Sequence, residues 1–211
     1  MKEYHKIETL FERDMEGNKK LIEGKFRNPV VEYIKDLEWN FTEKIDGTNV
    51  RVHWDGHTVI FGGRTDNAQM PIPLVQKLNS LFLGITNEQL FEQKFGANPV
   101  TFYGEGYGGK IQSGGAYGKE QDFILFDVAV GDVWLERENI EEIAKSFNLK
   151  VVPILIRGTI NEAVAYVKTK PNSTITEQEK ESEGLVGTPK VRITDFRGNR
   201  IIVKVKVCDF I

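Results

Sequence analysis

Residues 41–64 read FTEKIDGTNVRVHWDGHTVIFGGR, and this stretch leaves the chain little choice of local fold. Apolar and polar residues alternate with period two on both sides of Asp55-Gly56, a dipeptide that accepts the positive φ of a tight turn. The pattern predicts an antiparallel hairpin. DFILFDVAV (122–130) turns at Gly131-Asp132 into VWLE in the same manner, and residues 190–210 read as a hairpin around Arg197-Gly198-Asn199. PVTFYGE (99–105) and VVPILI (151–156) also read as strands. Helical spacing places Leu74, Leu78 and Leu81 on one face of 73–82, and Ile140, Ile143, Ala144 and Phe147 on one face of 138–148. Residues 86–96 open with Thr86 and Gln89 at capping-box spacing and stop at Gly96. NEAVAYVK (161–168) is a further helix. Residues 169–183 are polar and aperiodic, as expected of a solvated loop or mobile flap. Hairpins joined by a few short helices predict an α+β domain of antiparallel sheets with helices outside, one domain over residues 1–211.

Composition narrows the function classes. A formal charge of −3 supplies no global field for nucleic acid, so a polyanion site has to be built from local Lys and Arg clusters. Cys208 is the sole cysteine, which excludes an internal disulfide and fits a reducing compartment. The N-terminus has no apolar leader and no segment approaches membrane-spanning length, so the expected location is cytoplasmic, away from membranes.

YGEGYGGK (103–110) contains two glycine patterns associated with phosphate. Gly104, Gly106 and Gly109 fit G-x-G-x-x-G. Gly104 with Gly109-Lys110 approaches a P-loop, but Ile111 stands where a magnesium-binding hydroxyl belongs. Both motifs need a helix N-terminus immediately afterwards. IQSGGAYGKEQ follows instead, with no helical period, so both readings fail, and a glycine-rich turn with no chemistry stands beside a role for the carboxylate of Glu105.

EKIDGTNVR (43–51) places Lys44 two residues before Asp46-Gly47. K-x-D-G resembles the nucleophile motif of the covalent nucleotidyltransferases, the ATP-dependent ligases and mRNA capping enzymes. GGRT (62–65), FYGEGYG (102–108), FILFDV (123–128), SEGLVG (182–187) and IIVKVKV (201–207) resemble the family's further motifs in the family's order. Asn49, completing K-x-D-G-x-N, resembles the RNA ligase 2-like branch. The resemblance implies a nucleotidyltransferase (ATP-grasp-like) fold without an OB domain, and three steps. Lys44 takes AMP from ATP, AMP passes to an RNA 5′-phosphate, and an RNA 3′-hydroxyl displaces AMP.

The same resemblance implies the residue roles. Lys204 and Lys206, two apart on a strand and so on one face, would raise the potential around Lys44 and neutralise the triphosphate; alone, they would equally suit an edge strand protected against aggregation. Glu105 would bind the ribose hydroxyls, with Arg64 across the sugar and phosphate and the neighbouring glycines bringing backbone close to the nucleoside. Phe126 would stack on adenine, and Leu185 or Val186 would close the opposite face. Glu43 would touch the adenine edge or lie on the surface. Asp46 belongs to the nucleotide motif itself, and Asn49 would orient phosphate or a metal water. Asp127 and Glu183 would hold Mg²⁺ or Mn²⁺, directly or through water. Apart from the resemblance, Lys19, Lys20, Lys25 and Arg27 before the motif suit part of an RNA surface or a scaffold with a solvated basic loop. Two other readings remain at this level: an adenylylation module that needs a protein partner for end recognition, and a minimal DNA ligase.

Overall fold

The computed structural model describes residues 1–17 and 20–210. In chain order, β1 (Glu8–Thr9), β2 (Phe11–Arg13), β3 (Leu21–Phe26), α1 (Pro29–Tyr33) and β4 (Trp39–Glu43) come first. β5 (Thr48–Trp54), β6 (Val59–Gly62), α2 (Ile72–Phe82), α3 (Ile85–Phe95), β7 (Val100–Tyr107) and β8 (Asp122–Val130) follow. β9 (Val133–Trp134), α4 (Arg137–Ser146), β10 (Lys150–Val151), β11 (Ile154–Gly158), α5 (Ile160–Lys168), β12 (Gly184–Pro189) and β13 (Val203–Lys206) complete the chain. The residues divide into two compact units, Met1–His5 with Asp46–Val152, and Lys6–Ile45 with Pro153–Ile211. The fold is mixed α+β.

In the first unit a six-stranded sheet runs β10-β8-β7-β5-β6, with β9 paired to β8. The hairpin forms as its sequence dictates, with Trp54 opposite Val59 across the Asp55-Gly56 turn. Alternation puts Val50, Val52 and Trp54 on one face of β5, where they join Phe102, Leu74, Leu78, Phe82 and Phe91 in one apolar cluster. The other face therefore receives Asn49, Arg51 and His53 from β5, with Tyr103 and Glu105 opposite Arg51 and Asn49 on β7. On β8 the register slips: Tyr103 faces Asp127 while Gly104 faces Leu125, leaving Phe126 as the extra residue of a β-bulge. Phe123, Leu125 and Val128 stay in the apolar cluster. Phe126 and Asp127 thus both leave the core side, which strict alternation forbids.

The second unit holds a five-stranded sheet, β1-β13-β12-β4-β11, and the β2–β3 pair. Trp39, Phe41, Leu185, Val203 and Val205 pack with Ile160, Ala163 and Val167 of α5. The sheets are antiparallel except at two short strands, where β1 runs parallel to β13 and β10 parallel to β8. The lysine-bearing β13 lies between β1 and β12, so it is no edge strand.

Three local expectations need correction. VVPILI is two strands: β10 and β11 lie in different sheets, and Pro153, which cannot donate to a ladder, separates them. Thr86 caps nothing, because Gly84 enters α3 at φ 98° and makes Ile85 the first helical residue. The capping box forms at α5 instead, between Thr159 and Glu162. The expected hairpin over 190–210 is regular only in part. β13 pairs with β12, and above them a single bridge joins Thr194 to Arg200.

The glycines of YGEGYGGK also differ from expectation. Residues 103–107 are strand, not loop, and Gly104 and Gly106 face the core. A Cβ on Gly104 would meet the Phe123 ring at 2.2 Å and the Ile124 carbonyl oxygen at 2.5 Å; one on Gly106 would meet the Leu74 side chain at 2.5 Å. The glycines let β7 lie tightly under the aromatic core. Gly104→Ala should therefore cost about 1–3 kcal/mol of unfolding free energy, since a carbonyl cannot move aside as a side chain can. Gly115→Ala, with open space around its Cβ position, should stay within about 0.5 kcal/mol of the parent. Urea unfolding of the two variants measures the difference.

Candidate active site

Lys44 follows directly on β4. Cross-strand pairing on the second unit's sheet sets Thr42 opposite Val186, and Val186 opposite Lys204. Directly opposed residues share a face, so Val186 and Lys204 stand on the side away from the core, whereas Leu185 is wholly buried within it. Of the two apolar candidates, Val186 is the one beside the lysines. Lys206 lies two residues along β13 from Lys204 and on the same face.

One carboxylate organises these cations. Glu183 Oε2 lies 2.5 Å from Lys44 Nζ, and Glu183 Oε1 lies 2.7 Å from Lys206 Nζ. The backbone N–H of Lys44 donates to the Gly184 carbonyl at 2.9 Å, which ties the Lys44 segment to the strand that follows Glu183. Burial disfavours the charged form of Lys206, but the bond to Glu183 and its charge outweigh this and raise its pKa. Lys204 is shifted the other way. Burial, and then the charges of Lys206, Lys44 and Lys6, hold its ammonium below the usual lysine range. Three lysines against one carboxylate leave two positive charges in excess, which suits a polyphosphate.

Glu43 is not a surface residue. It is 2% exposed, on the buried side of β4 with Trp39 and Phe41. Its carboxylate accepts from Ser173 Oγ at 2.5 Å, Thr174 N–H at 3.0 Å and Thr174 Oγ1 at 2.6 Å. These bonds anchor segment 169–183, which is further closed by Ser173 N–H to Lys180 O and Ser182 N–H to Pro171 O. The expected flap is a tethered loop.

The first unit carries the remaining candidates. Asn49, Glu105 and Phe126 share the side of its sheet opposite the apolar core. The Asn49 Oδ1 atom is buried without a hydrogen-bond partner, an arrangement that costs about 1–3 kcal/mol and suits an incoming donor. Asp46 accepts from Ser113 Oγ, and its backbone N–H donates to the Tyr117 hydroxyl at 3.1 Å. Gly47 is required here, because a Cβ would fall 2.3 Å from the Gly106 carbonyl oxygen. Phe126 is half-exposed and meets Tyr4 edge-on at 5.1 Å between ring centres. Asp127 is 6% exposed. It accepts from the Tyr4 hydroxyl at 2.8 Å on one oxygen and from Val128 N–H at 3.0 Å on the other.

Arg64 is exposed, in the turn after β6. What shapes that turn is Arg51, which the motif reading passed over. Its guanidinium is fully buried and donates to Gly63 O at 2.7 Å, Met1 O at 3.1 Å and Asp66 Oδ1 at 2.9 Å. The only sequence signal was an arginine among the apolar residues of NVRVHW.

A protein-built metal cage is absent: among the described residues no group of three or more His, Cys, Asp or Glu side chains converges. Glu183 is already shared by two lysines and Asp127 by Tyr4. Such donors fit a divalent cation only as Mg²⁺ is commonly bound, through one or two carboxylates with the substrate's own phosphates and water. No helix among the described residues is long and apolar enough to cross a membrane.

Comparison with known proteins bears on all of this. A model of the RNA ligase family matches residues 37–206. Solved structures of the Naegleria gruberi RNA ligase share the fold. The form with PPi is 21% identical at a TM-score of 0.64, covering 94% of this chain and 55% of that one. A lysine-to-methionine variant with AMP and Mn is 19% identical at 0.65, with 94% and 55% covered. A lysine-to-alanine variant with ATP and Mn is 19% identical at 0.64, with 95% and 58% covered. The present chain thus spans little more than half the length of these structures, and at such identity the likeness is one of fold, that of the RNA ligase nucleotidyltransferase domain. No curated protein sequence matches.

The shift of Lys204 has a consequence for stability. Its folded pKa lies below its unfolded one, so at neutral pH the unfolded chain holds this proton more readily and the charge opposes folding. That opposition is full below the folded pKa and fades as pH rises through it. Lys204→Met, which keeps the buried stem, should therefore stabilise the protein at pH 7 by up to about 1 kcal/mol while slowing any reaction that needs the cation. Urea unfolding at pH 7 and at pH 10.5, where the gain should shrink, tests this.

Proposed function

The chain belongs to the RNA ligase family, and from that premise we propose that it is an ATP-dependent RNA ligase of the RNA ligase 2-like branch, acting through a lysyl-AMP on Lys44. The observation that carries the reading is the cluster of Lys44, Lys204 and Lys206 around the single carboxylate of Glu183. It places a candidate nucleophile in a field of excess positive charge.

To attack, Lys44 Nζ must lose a proton. The acceptor in reach is Glu183 Oε2, at 2.5 Å. The amine's lone pair then forms a bond to the α-phosphorus of ATP, the bond from that phosphorus to the bridging oxygen breaks, and pyrophosphate leaves. Lys204 and Lys206 offset the charge that builds on the phosphates. A divalent ion carried by the phosphates, the role Mn²⁺ or Mg²⁺ would have beside Glu183, supplies further Lewis-acid stabilisation. Glu105 reads the ribose hydroxyls, Phe126 and Val186 hold adenine, and Asn49 and Arg64 orient phosphate. AMP then passes to an RNA 5′-phosphate and is displaced by a 3′-hydroxyl. Because the chain spans only part of its structural relatives, a second reading keeps self-adenylylation here and assigns end recognition to a protein partner. Sealing of a nicked 5′-phosphate RNA by the chain alone separates the two.

Incubation with α-labelled ATP and a divalent ion should attach an acid-labile label to the protein. Lys44→Ala and Lys44→Arg should both abolish it, since arginine stays protonated and cannot attack. Normal labelling of Lys44→Ala would sink the assignment. For the sugar, Glu105→Gln exchanges a charge-assisted bond for one roughly half as strong. It should weaken use of ATP and make ATP and 2′-deoxy-ATP more alike, whereas Lys110→Ala should be mild. The reverse outcome in initial-rate labelling would return phosphate binding to YGEGYGGK.

A further inference from the structure

The connection from β12 to β13 carries a surface that the proposed chemistry leaves unused. Residues 190–200 hold Lys190, Arg192, Arg197 and Arg200 against one acid, Asp195; Lys190 is paired with Glu38 at 2.8 Å, so with that acid counted the local charge is four minus two, +2, in a chain of formal charge −3. Asp195 is committed to the turn. Its carboxylate accepts from Arg197 N–H at 2.8 Å, Asn199 N–H at 2.8 Å and Asn199 Nδ2 at 3.0 Å. Its own N–H donates to Asn199 O at 2.8 Å, and Gly198 N–H donates to its carbonyl at 2.9 Å. The Asn199 side chain, and then its backbone, hold the Asp195 carboxyl below its usual pKa, so the turn stays closed by charge-assisted bonds at neutral pH.

On this fixed turn the Phe196 ring is 91% exposed, and the Arg197 guanidinium lies over it at 5.1 Å from the ring centre. Isolated exposed apolar residues need no explanation. Here, however, hydrogen bonds hold an aromatic face outward, under a cation, in a patch of positive charge. A base stacks on such a ring whatever its sequence, and the cations take the adjoining phosphates. The basic stretch before the nucleophile is a weaker candidate: Lys25 is paired with Glu12 at 2.6 Å and Arg27 with Glu8 at 3.1 Å, while Lys19 lies outside the described residues.

We propose that the 190–200 turn is an RNA-contacting element, in which Phe196 stacks on a base and Arg197 and its basic neighbours neutralise the flanking phosphates. The inference rests on the ligase reading, and it adds a position along the substrate. Phe196 is eight residues from Lys204, so the two are separated by at most about 29 Å of extended chain. At about 3.4 Å per stacked step, the contacted base lies within roughly nine nucleotides of the reacting phosphate.

The test is binding of a fluorescein-labelled single-stranded 5′-phosphate RNA by the full chain in the absence of ATP, which reads out even if Lys44 never takes AMP. Phe196→Ala should raise the Kd about five-fold or more and leave self-adenylylation at the parental rate. Phe196→Trp should restore affinity, and its added emission should be quenched by RNA. Arg197→Ala should lower the slope of log K against log salt by about one. Unchanged RNA affinity in Phe196→Ala, or emission from Phe196→Trp that RNA does not quench, would overturn the proposal and leave this turn to a protein partner. Loss of the Lys44 label alone would instead strike only the ligase reading.

Discussion

Glu183 sits where two lysines need the same carboxylate, and the proposed chemistry depends on that sharing. Three ammonium groups, two on β13 and one just after β4 with β12 between them, repel one another, and half-burial strengthens the repulsion because water screens it less. Glu183 lets Lys44 and Lys206 converge by giving each an oxygen. Lys204 has no such bond, and it is the lysine whose ammonium is held down. The cluster thus contains both a lysine that stays charged and one that carries its charge at a cost, which an arriving polyphosphate would relieve. Activity and stability pull in opposite directions at this one position.

The scaffold achieves the arrangement with pleating alone. On β12 and β13 the residues that alternate with Leu185, Val203 and Val205 are those proposed to meet the nucleotide, so the core that holds the strands also aims the lysines. In the other unit the same parity gives Val50 and Val52 to the core and Asn49 and Arg51 to the opposite side. Phe126 and Asp127 depart from parity through the β8 bulge. One extra residue puts an aromatic ring and a carboxylate consecutively on the functional side, and Tyr4 engages both.

Much of this was legible in the sequence because it is local. A hairpin around Asp-Gly, a helix stop at Gly96 and the parity of Lys204 and Lys206 follow from a few adjacent residues. What escaped depends on distant partners. Gly104 and Gly106 read as a phosphate or nucleoside loop, yet their lack of side chains answers to Phe123 and Leu74, residues far away in the chain. The sequence leaves Glu43 between the adenine edge and the surface, and Ser173 and Thr174 close over it. Arg51 stands out in NVRVHW only as an arginine among apolar residues, which says nothing of its three partners at Met1, Gly63 and Asp66. The bulge at Phe126 leaves no trace in FILFDV, since slipping the register by one residue is a property of the pair of strands.

The division of residues between the two units also has chemical content. Lys6–Ile45 with Pro153–Ile211 carries Lys44, Glu183, Val186, Lys204 and Lys206, while Asp46–Val152 carries Asp46, Asn49, Arg64, Glu105, Phe126 and Asp127. The first set is dominated by cations and matches phosphate. The second adds an aromatic ring and a carboxylate, which match a base and a sugar, beside Asn49 and Arg64, which the proposal gives to phosphate. The K-x-D-G motif straddles the change, with Lys44 ending one set and Asp46 beginning the other. Ile45, 4% exposed, is the single residue between Lys44 and the Asp46–Gly47 turn, and Gly47 can pass Gly106 only without a side chain.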